Sequence, residues 1–330
     1  MSVLAFVLIA FMIVGYVVLD GYDLGVATVA PLLAKNDRER LAAMQAIGPF
    51  WNGNEVWLVA GGALLFALFP KGYASSFSGF YLPFMIVLWL LMGRGISLEL
   101  REHYPSPMWH QFWDWCFTAA SVLLVFLFGV ALGNLIRGVP LDPAGYFMGT
   151  FGFLLNGYAL LVGIFAVTLL SMHGSAFMML RVEGAPAQRA QTLFPRLWIA
   201  SLVLFLAVTI ATFSTRPDAV FNRWIDMLGL VALAALAGAD FAARARREVL
   251  AFAATSAHVV LLLAVAAATM FPNLLRGFPD GRGSLSIFAV SPSPAALGSA
   301  LAVAIVGMAI VIAYTVVLWR KLAGKVRVGE

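Results

Sequence analysis

Cysteine and charge are both scarce in this chain. A single cysteine, Cys116, stands among 330 residues, which excludes an internal disulfide and any thiolate metal cluster and leaves it to read as a small core residue. Charged residues make up only 11%, against roughly 25% in an ordinary soluble domain. Strand-type alternation is missing. So are a Walker-type phosphate loop, a glycine-rich dinucleotide turn and a nucleophile elbow, which removes the commonest soluble-enzyme chemistries. No small-residue cleavage pattern closes the N-terminal apolar run, so that run reads as a retained helix.

What the chain has in excess is apolar surface. Hydrophobic residues reach 62% and the mean hydropathy is +0.93, whereas soluble domains hold about half apolar residues. This is the composition of an integral membrane protein. The 26 Phe and 9 Trp suit lipid-facing and interfacial surface, and the 13 Met read as filler in apolar helices. A net charge of +5 therefore bears on orientation in a bilayer, and nucleic acid is not an expected partner.

A span takes about 20 apolar residues. Nine stretches qualify or nearly do, at 3–24, 49–69, 77–97, 112–136, 146–172, 197–213, 224–243, 249–271 and 295–319, the sixth being the weakest. Backbone groups in lipid must be satisfied within their own segment, so helices are expected throughout. Residues 35–47 (KNDRERLAAMQAI) read as a short amphipathic surface helix. Residues 145–163 are rich in small side chains that let helices approach closely, and 280–294 form a Gly, Ser and Pro loop on the outer side. The expected fold is an all-α integral membrane protein with nine transmembrane helices, arranged as two four-helix bundles plus one peripheral helix. Residues 1–138 would form the first bundle and 139–275 the second; an outer loop, the ninth helix and a cytoplasmic tail would fill 276–330. GYDLGV at 21–26 and GYALLVG at 157–163 hint at two related halves, with an apolar counterpart to Asp23 in the second.

With nine spans the termini lie on opposite sides. Fifteen of the 21 Lys and Arg residues fall after odd-numbered spans and in the C-terminal tail. The positive-inside rule then puts the C-terminus in the cytoplasm and the N-terminus outside.

Polar residues inside apolar runs are candidate functional groups, because an ionisable side chain at membrane depth is costly unless paired or hydrated. In GPFWNGNEVWLVAGGALLFALFP (48–70), Asn52 and Glu55 are three apart and would share a helix face, flanked by Trp51 and Trp57. Asp20 and Asp23 repeat that spacing at the inner end of the first span, and the two acidic faces could line a hydrated proton path. Plain helix-end charges are the alternative. Arg94, in MGRGISLELREH with Glu99 and Arg101, is the natural cation for Asp23 or Glu55, unless it snorkels to the interface. Of four histidines, His103 and His110 flank an interfacial loop, His173 is expected at a membrane edge, and His258 alone falls within a span as a packed core residue. Axial haem ligation needs facing partners at matching depth, and no such pair is evident.

Six segments together carry a resemblance. These are LDGYDLGV (19–26), the 48–70 run, SGFYLPFMIVLWLLMGRGISLELR (78–101), SMHGSAF (171–177), MFPNLL (270–275) and IAYT (312–315). Spread over the whole chain, they resemble subunit II of the cytochrome bd quinol oxidases, including the cyanide-insensitive branch. The resemblance implies a multi-pass protein of the bacterial cytoplasmic (inner) membrane that pairs with a similarly folded subunit I, in some members with a small accessory subunit. Subunit I of that family carries haem b, haem d and the quinol site where dioxygen is reduced to water. Subunit II binds no haem and supports assembly and haem burial, in some members with a structural quinone, and contributes to cytoplasmic proton uptake. Its proton path would comprise Asp20, Asp23, Asn52, Glu55, Arg94 and Glu99. The family places an acid in a Trp-Asp-Gly-Asn motif where this chain has Asn52; Glu55, one turn on, would replace it. The alternatives are a secondary ion or solute transporter, which broken helices at the midplane would mark, and a purely structural scaffold.

Overall fold

The computed structural model describes residues 1–219 and 222–329. In chain order run α1 (Ser2–Leu33), α2 (Asp37–Ile47), α3 (Trp51–Leu68), α4 (Pro70–Gly79), α5 (Tyr81–Leu100), α6 (Pro107–Arg137) and the single turn α7 (Phe151–Leu154). Then come α8 (Gly157–Arg181), α9 (Ala185–Thr215), α10 (Arg223–Arg244), α11 (Glu248–Met270), the strands β1 (Asn273–Leu275) and β2 (Leu285–Ser286), and α12 (Pro294–Lys321). Among the described residues, eight helices are long and apolar enough to cross a membrane. The expected second span, α3, lies outside that eight. It has 18 residues, about 27 Å at 1.5 Å per residue, but Asn52, Asn54 and Glu55 dilute its first turns.

α8 lies at the centre against α1, α6, α9 and α11, and it is buried without a break from Leu169 to Met179. Its crossing with α1 is backbone on backbone. A Cβ on Gly25 would stand 2.0 Å from the Leu170 carbonyl oxygen, and one on Gly174 would stand 2.2 Å from the carbonyl carbon of Gly25. Only glycine fits at either position.

Several helix ends differ from expectation, each for a local reason. α1 continues to Leu33 through Pro31. Proline has no N–H for the carbonyl four residues back, and the Thr118 hydroxyl of α6 donates to that carbonyl, Ala27 O, at 3.1 Å instead. Asp20 and Asp23 are therefore interior to a helix and not at its end. The third span starts at Tyr81, because Pro70 at the first helical position opens a separate helix that stops at Gly79. The fifth starts at Gly157, where the Asn156 side chain accepts from Ala159 N at 3.0 Å. Residues ahead of it fold back as a loop with Gly145 at φ +87°. The sixth runs much longer than expected, through Pro195.

Helices throughout is also corrected, since β1 and β2 pair as an antiparallel hairpin. Leu275, Leu285 and Ile287 from this segment join Leu8, Leu68 and Phe69 in a core at one end of the bundle. At the other end α2 is held by Asn36, whose side chain accepts from Glu39 N at 3.0 Å, and by the Arg189–Glu39 ion pair at 2.6 Å. That hydrogen-bonded guanidinium holds the Glu39 carboxyl below its ordinary value. The C-terminal tail lies across the α8–α9 turn: Val326 N donates to Arg181 O and Glu183 N to Val326 O.

Candidate functional site

The site is built where α1, α3 and α5 meet. Arg94 on α5, Asp20 and Asp23 on α1 are all fully buried. Arg94 Nη2 donates to Asp20 Oδ1 at 2.6 Å and Nη1 to Asp20 Oδ2 at 3.0 Å. This two-pronged geometry is the strongest form of a guanidinium–carboxylate pair. The same Nη1 donates to Glu55 Oε1 at 3.0 Å, and Asp23 Oδ2 lies 3.9 Å from Nη2. Asn54 Nδ2 completes the cluster by donating to Asp23 Oδ2 at 2.7 Å and Tyr22 Oη at 2.9 Å.

Three carboxyl groups thus surround one cation. Asp20 and Asp23 are sealed inside, while the Glu55 side chain is 26% exposed and is the member that opens to the outside. The structure brings together Asp20, Asp23, Glu55 and Arg94. It does not bring in the other two: Asn52 and Glu99 are both exposed, and Glu99 touches the rest of the chain here through its carbonyl, which contacts His103 Nδ1 at 2.8 Å. Asn54 takes the place expected for Asn52. Residues two apart on a helix point about 200° from one another, so the two asparagines cannot both face α1. The inward stripe Asn54, Trp57, Gly61 and Leu68 carries the helical period that would have identified Asn54.

A second arginine, in the turn directly after α5, has its own acids. Arg101, 1% exposed, donates through Nε to Asp114 Oδ1 at 2.7 Å and through Nη2 to Asp37 Oδ1 at 2.5 Å, and it also pairs with Glu102. Arg40 joins Asp114 at 3.2 Å, and His110 Nδ1 sits 3.2 Å from Asp37.

The histidines are arranged differently from expectation. His173 belongs to the interior of α8 and is fully buried, not at a membrane edge, with Nδ1 2.9 Å from Thr255 Oγ1 and Nε2 3.1 Å from Val18 O. His258 is within a helix as expected, its Nδ1 2.7 Å from Ala232 O. Cys116 is half-buried and free. Among the described residues no group of three or more His, Cys, Asp or Glu is placed to hold a metal ion. The Arg94 cluster is a set of carboxyl groups sharing one cation.

Comparison with known proteins gives the family. The family profile described as cytochrome bd terminal oxidase subunit II matches residues 1–322. A probable cytochrome oxidase subunit 2 of Haemophilus influenzae is 31% identical over 97% of this chain and 93% of its own length. The cytochrome bd ubiquinol oxidase subunit 2 of Bacillus subtilis is 33% identical over 82% of this chain and 80% of its own. The solved bd oxidase from Geobacillus thermodenitrificans shares the fold, with a TM-score of 0.81 over 97% of each chain at 18% identity. The chain belongs to the cytochrome bd terminal oxidase subunit II family.

Proposed function

We propose that this chain is the haem-free subunit of a quinol:dioxygen oxidoreductase, and that its Arg94 cluster takes part in cytoplasmic proton uptake for the reduction of oxygen to water. Haem b and haem d belong to the subunit I partner, which this chain helps to assemble and bury. The family assignment takes the place of the transporter reading. In this proposal α3 is the ninth span, the first four spans and the next four form the two bundles, and α12 stands beside them. The N-terminus lies outside, so the arginine-rich end with α2 and the tail faces the cytoplasm.

One observation carries the proton role: Arg94 joins the sealed Asp20 to the half-open Glu55 through hydrogen bonds of 3.0 Å or less. A buried group of three acids and one base is neutral only when two of the acids hold protons. Such a group can pass protons, one released for each one accepted, with its buried charge unchanged. Glu55 supplies the acid that the family motif carries one turn earlier, at the position of Asn52.

The test is quinol-dependent oxygen consumption by the two-subunit complex carrying Glu55→Gln, with haem content checked by absorption. Turnover should fall while the haems remain. Unchanged turnover with intact haems would reduce Glu55 to a packing group.

A further inference from the structure

Asp23 Oδ1 in the Arg94 cluster and Ser121 Oγ on α6 are buried and have no hydrogen-bond partner among the described residues. Both residues are fully buried. Buried atoms of this kind mark places for ordered water.

A cavity at the arginine-rich end is walled by α1, α2 and α6. It measures about 40 Å³ and is lined in part by Val26, Ala30, Arg40, Asp114, Phe117 and Thr118. A water needs roughly 10–15 Å³ of such volume, so the cavity has room for two or three. Most of its wall is apolar, and the Asp114 carboxylate, the Arg40 guanidinium and the Thr118 hydroxyl are the groups that supply polar partners for water.

Position along the helices connects these features. α1 and α6 run antiparallel, since Thr118 meets Ala27 while Phe128 meets Tyr16. One turn further along α6, Ser121 stands level with Leu24 and Asp23. The cavity reaches Val26, one turn from Asp23. At its mouth Asp114 is fixed by Arg101 and Arg40. Arg94 and Ser97 on α5 and Arg101 in the turn directly after it are all buried, and Arg101 lies seven residues, about 10 Å at helical rise, beyond Arg94.

We propose that the Arg101 network and the cavity beneath it are the water-filled entrance by which protons reach the Arg94 cluster. Asp114 collects protons at the mouth, and the hydroxyls of Thr118 and Ser121 hold the waters that carry them to Asp23. Each carrier accepts one proton and releases one, so nothing is oxidised or reduced along the way. The proposal rests on the reading of the Arg94 cluster as proton-conducting, and its test separates the two.

Oxygen consumption would be compared across neutral and alkaline pH in the two-subunit complex bearing Thr118→Val, Asp114→Asn or Glu55→Gln, with haem absorption reporting assembly. Thr118→Val keeps every ion pair while drying the cavity wall; it also removes the donor to Ala27 O, so its turnover is compared at matched melting temperature and haem content. It should slow turnover about tenfold, equal to a barrier increase of about 1.4 kcal/mol, and Thr118→Ser should rescue it. Asp114→Asn should lose most at alkaline pH, where protons are scarce. Arg40 from α2 and Arg101 from the turn after α5 pair with Asp114 directly, and Asp37 from α2, Glu102 beside Arg101 and His110 from its own helix join the network through Arg101 and Asp37. They are common to parent and variant, so the difference between the two profiles belongs to Asp114. Thr118→Val combined with Glu55→Gln should be no slower than the slower single variant, as for two steps of one path.

If Glu55→Gln slows turnover while Thr118→Val runs at the parent rate, the entrance is wrong and the cluster reading survives. If Glu55→Gln itself runs at the parent rate, the cluster reading fails and the entrance falls with it. Should Asp114→Asn or Thr118→Val fail to assemble, Ser121→Ala, which breaks no hydrogen bond among the described residues, decides by the same outcomes.

Discussion

Arg94 holds two carboxylates on one guanidinium, so its loss strands both. Breaking a buried ion pair by removing one partner costs about 3–5 kcal/mol. Arg94→Met should therefore lower the yield and melting temperature of the purified complex well before any effect on turnover can be read, whereas Asp20→Asn, which keeps an acceptor opposite the guanidinium, should be milder. Equal melting temperatures for Arg94→Met and parent would mean that the acids are not ionised around it. The displaced acid gives a second outcome at this scale. In a Glu55→Gln background, Asn52→Asp restores the family's own acid one turn away and should recover part of the lost oxygen consumption; no recovery would separate position 52 from the path. Asp20, Asp23 and Arg94 were legible in the sequence because a charge inside an apolar run has few reasons to be there. Asn54 was missed, because two asparagines two residues apart look alike until the helix phase is fixed, and that phase is carried only further along α3, by Trp57, Gly61 and Leu68.

Helices as elements were legible from hydropathy, but their ends were decided by chemistry that hydropathy does not see. Where α1 passes Pro31, Thr118, ninety-one residues from Ala27, supplies the donor that the Ala27 carbonyl lacks. The fifth span loses its first turns because Asn156 caps a later start. The α1–α8 crossing shows the same dependence on a distant partner, with Gly25 and Gly174 from separate motifs meeting backbone to backbone. Gly174→Ala must push these helices apart, and overpacking of this kind costs typically 1–3 kcal/mol. Because α1 also carries Asp20 and Asp23, the shift should loosen the Arg94 cluster and reduce both melting temperature and haem recovery. Gly229 on α10 has no atom within 4 Å of an added Cβ, so Gly229→Ala should match or slightly exceed the parent in stability. A Gly174→Ala complex as stable as the Gly229→Ala one would show that the crossing tolerates a wider gap.

For the whole molecule, the question is which faces meet lipid and which meet subunit I. Two acid-base features bind the arginine-rich end together, and Glu39 gives it a pH limit. Its carboxylate is favoured in the fold by Arg189, so this part of the stability is complete above about pH 4.3 and is lost as pH falls through the lower folded-state value. Glu39→Gln should flatten the acid limb of a melting profile. The sides of the molecule differ in another way. On α9 the outward stripe Ile199, Val203, Leu206 and Ile210 is exposed and wholly apolar, as lipid requires. On α3 the outward stripe Asn52, Val56 and Val59 is just as exposed but begins with an amide. An amide facing hydrocarbon without a partner costs several kcal/mol, so this stripe belongs against protein, and the half-open Glu55 beside it belongs there too. Val59, 71% exposed, and Val203, 59% exposed, then make a matched pair. Val59→Trp should sharply reduce the haem-bearing subunit recovered with this chain, because a large ring would sit in the interface, while Val203→Trp should leave recovery at the parent level, since lipid reshapes around it. The reverse result would place subunit I on the α9 side and leave Asn52 and Glu55 facing the bilayer.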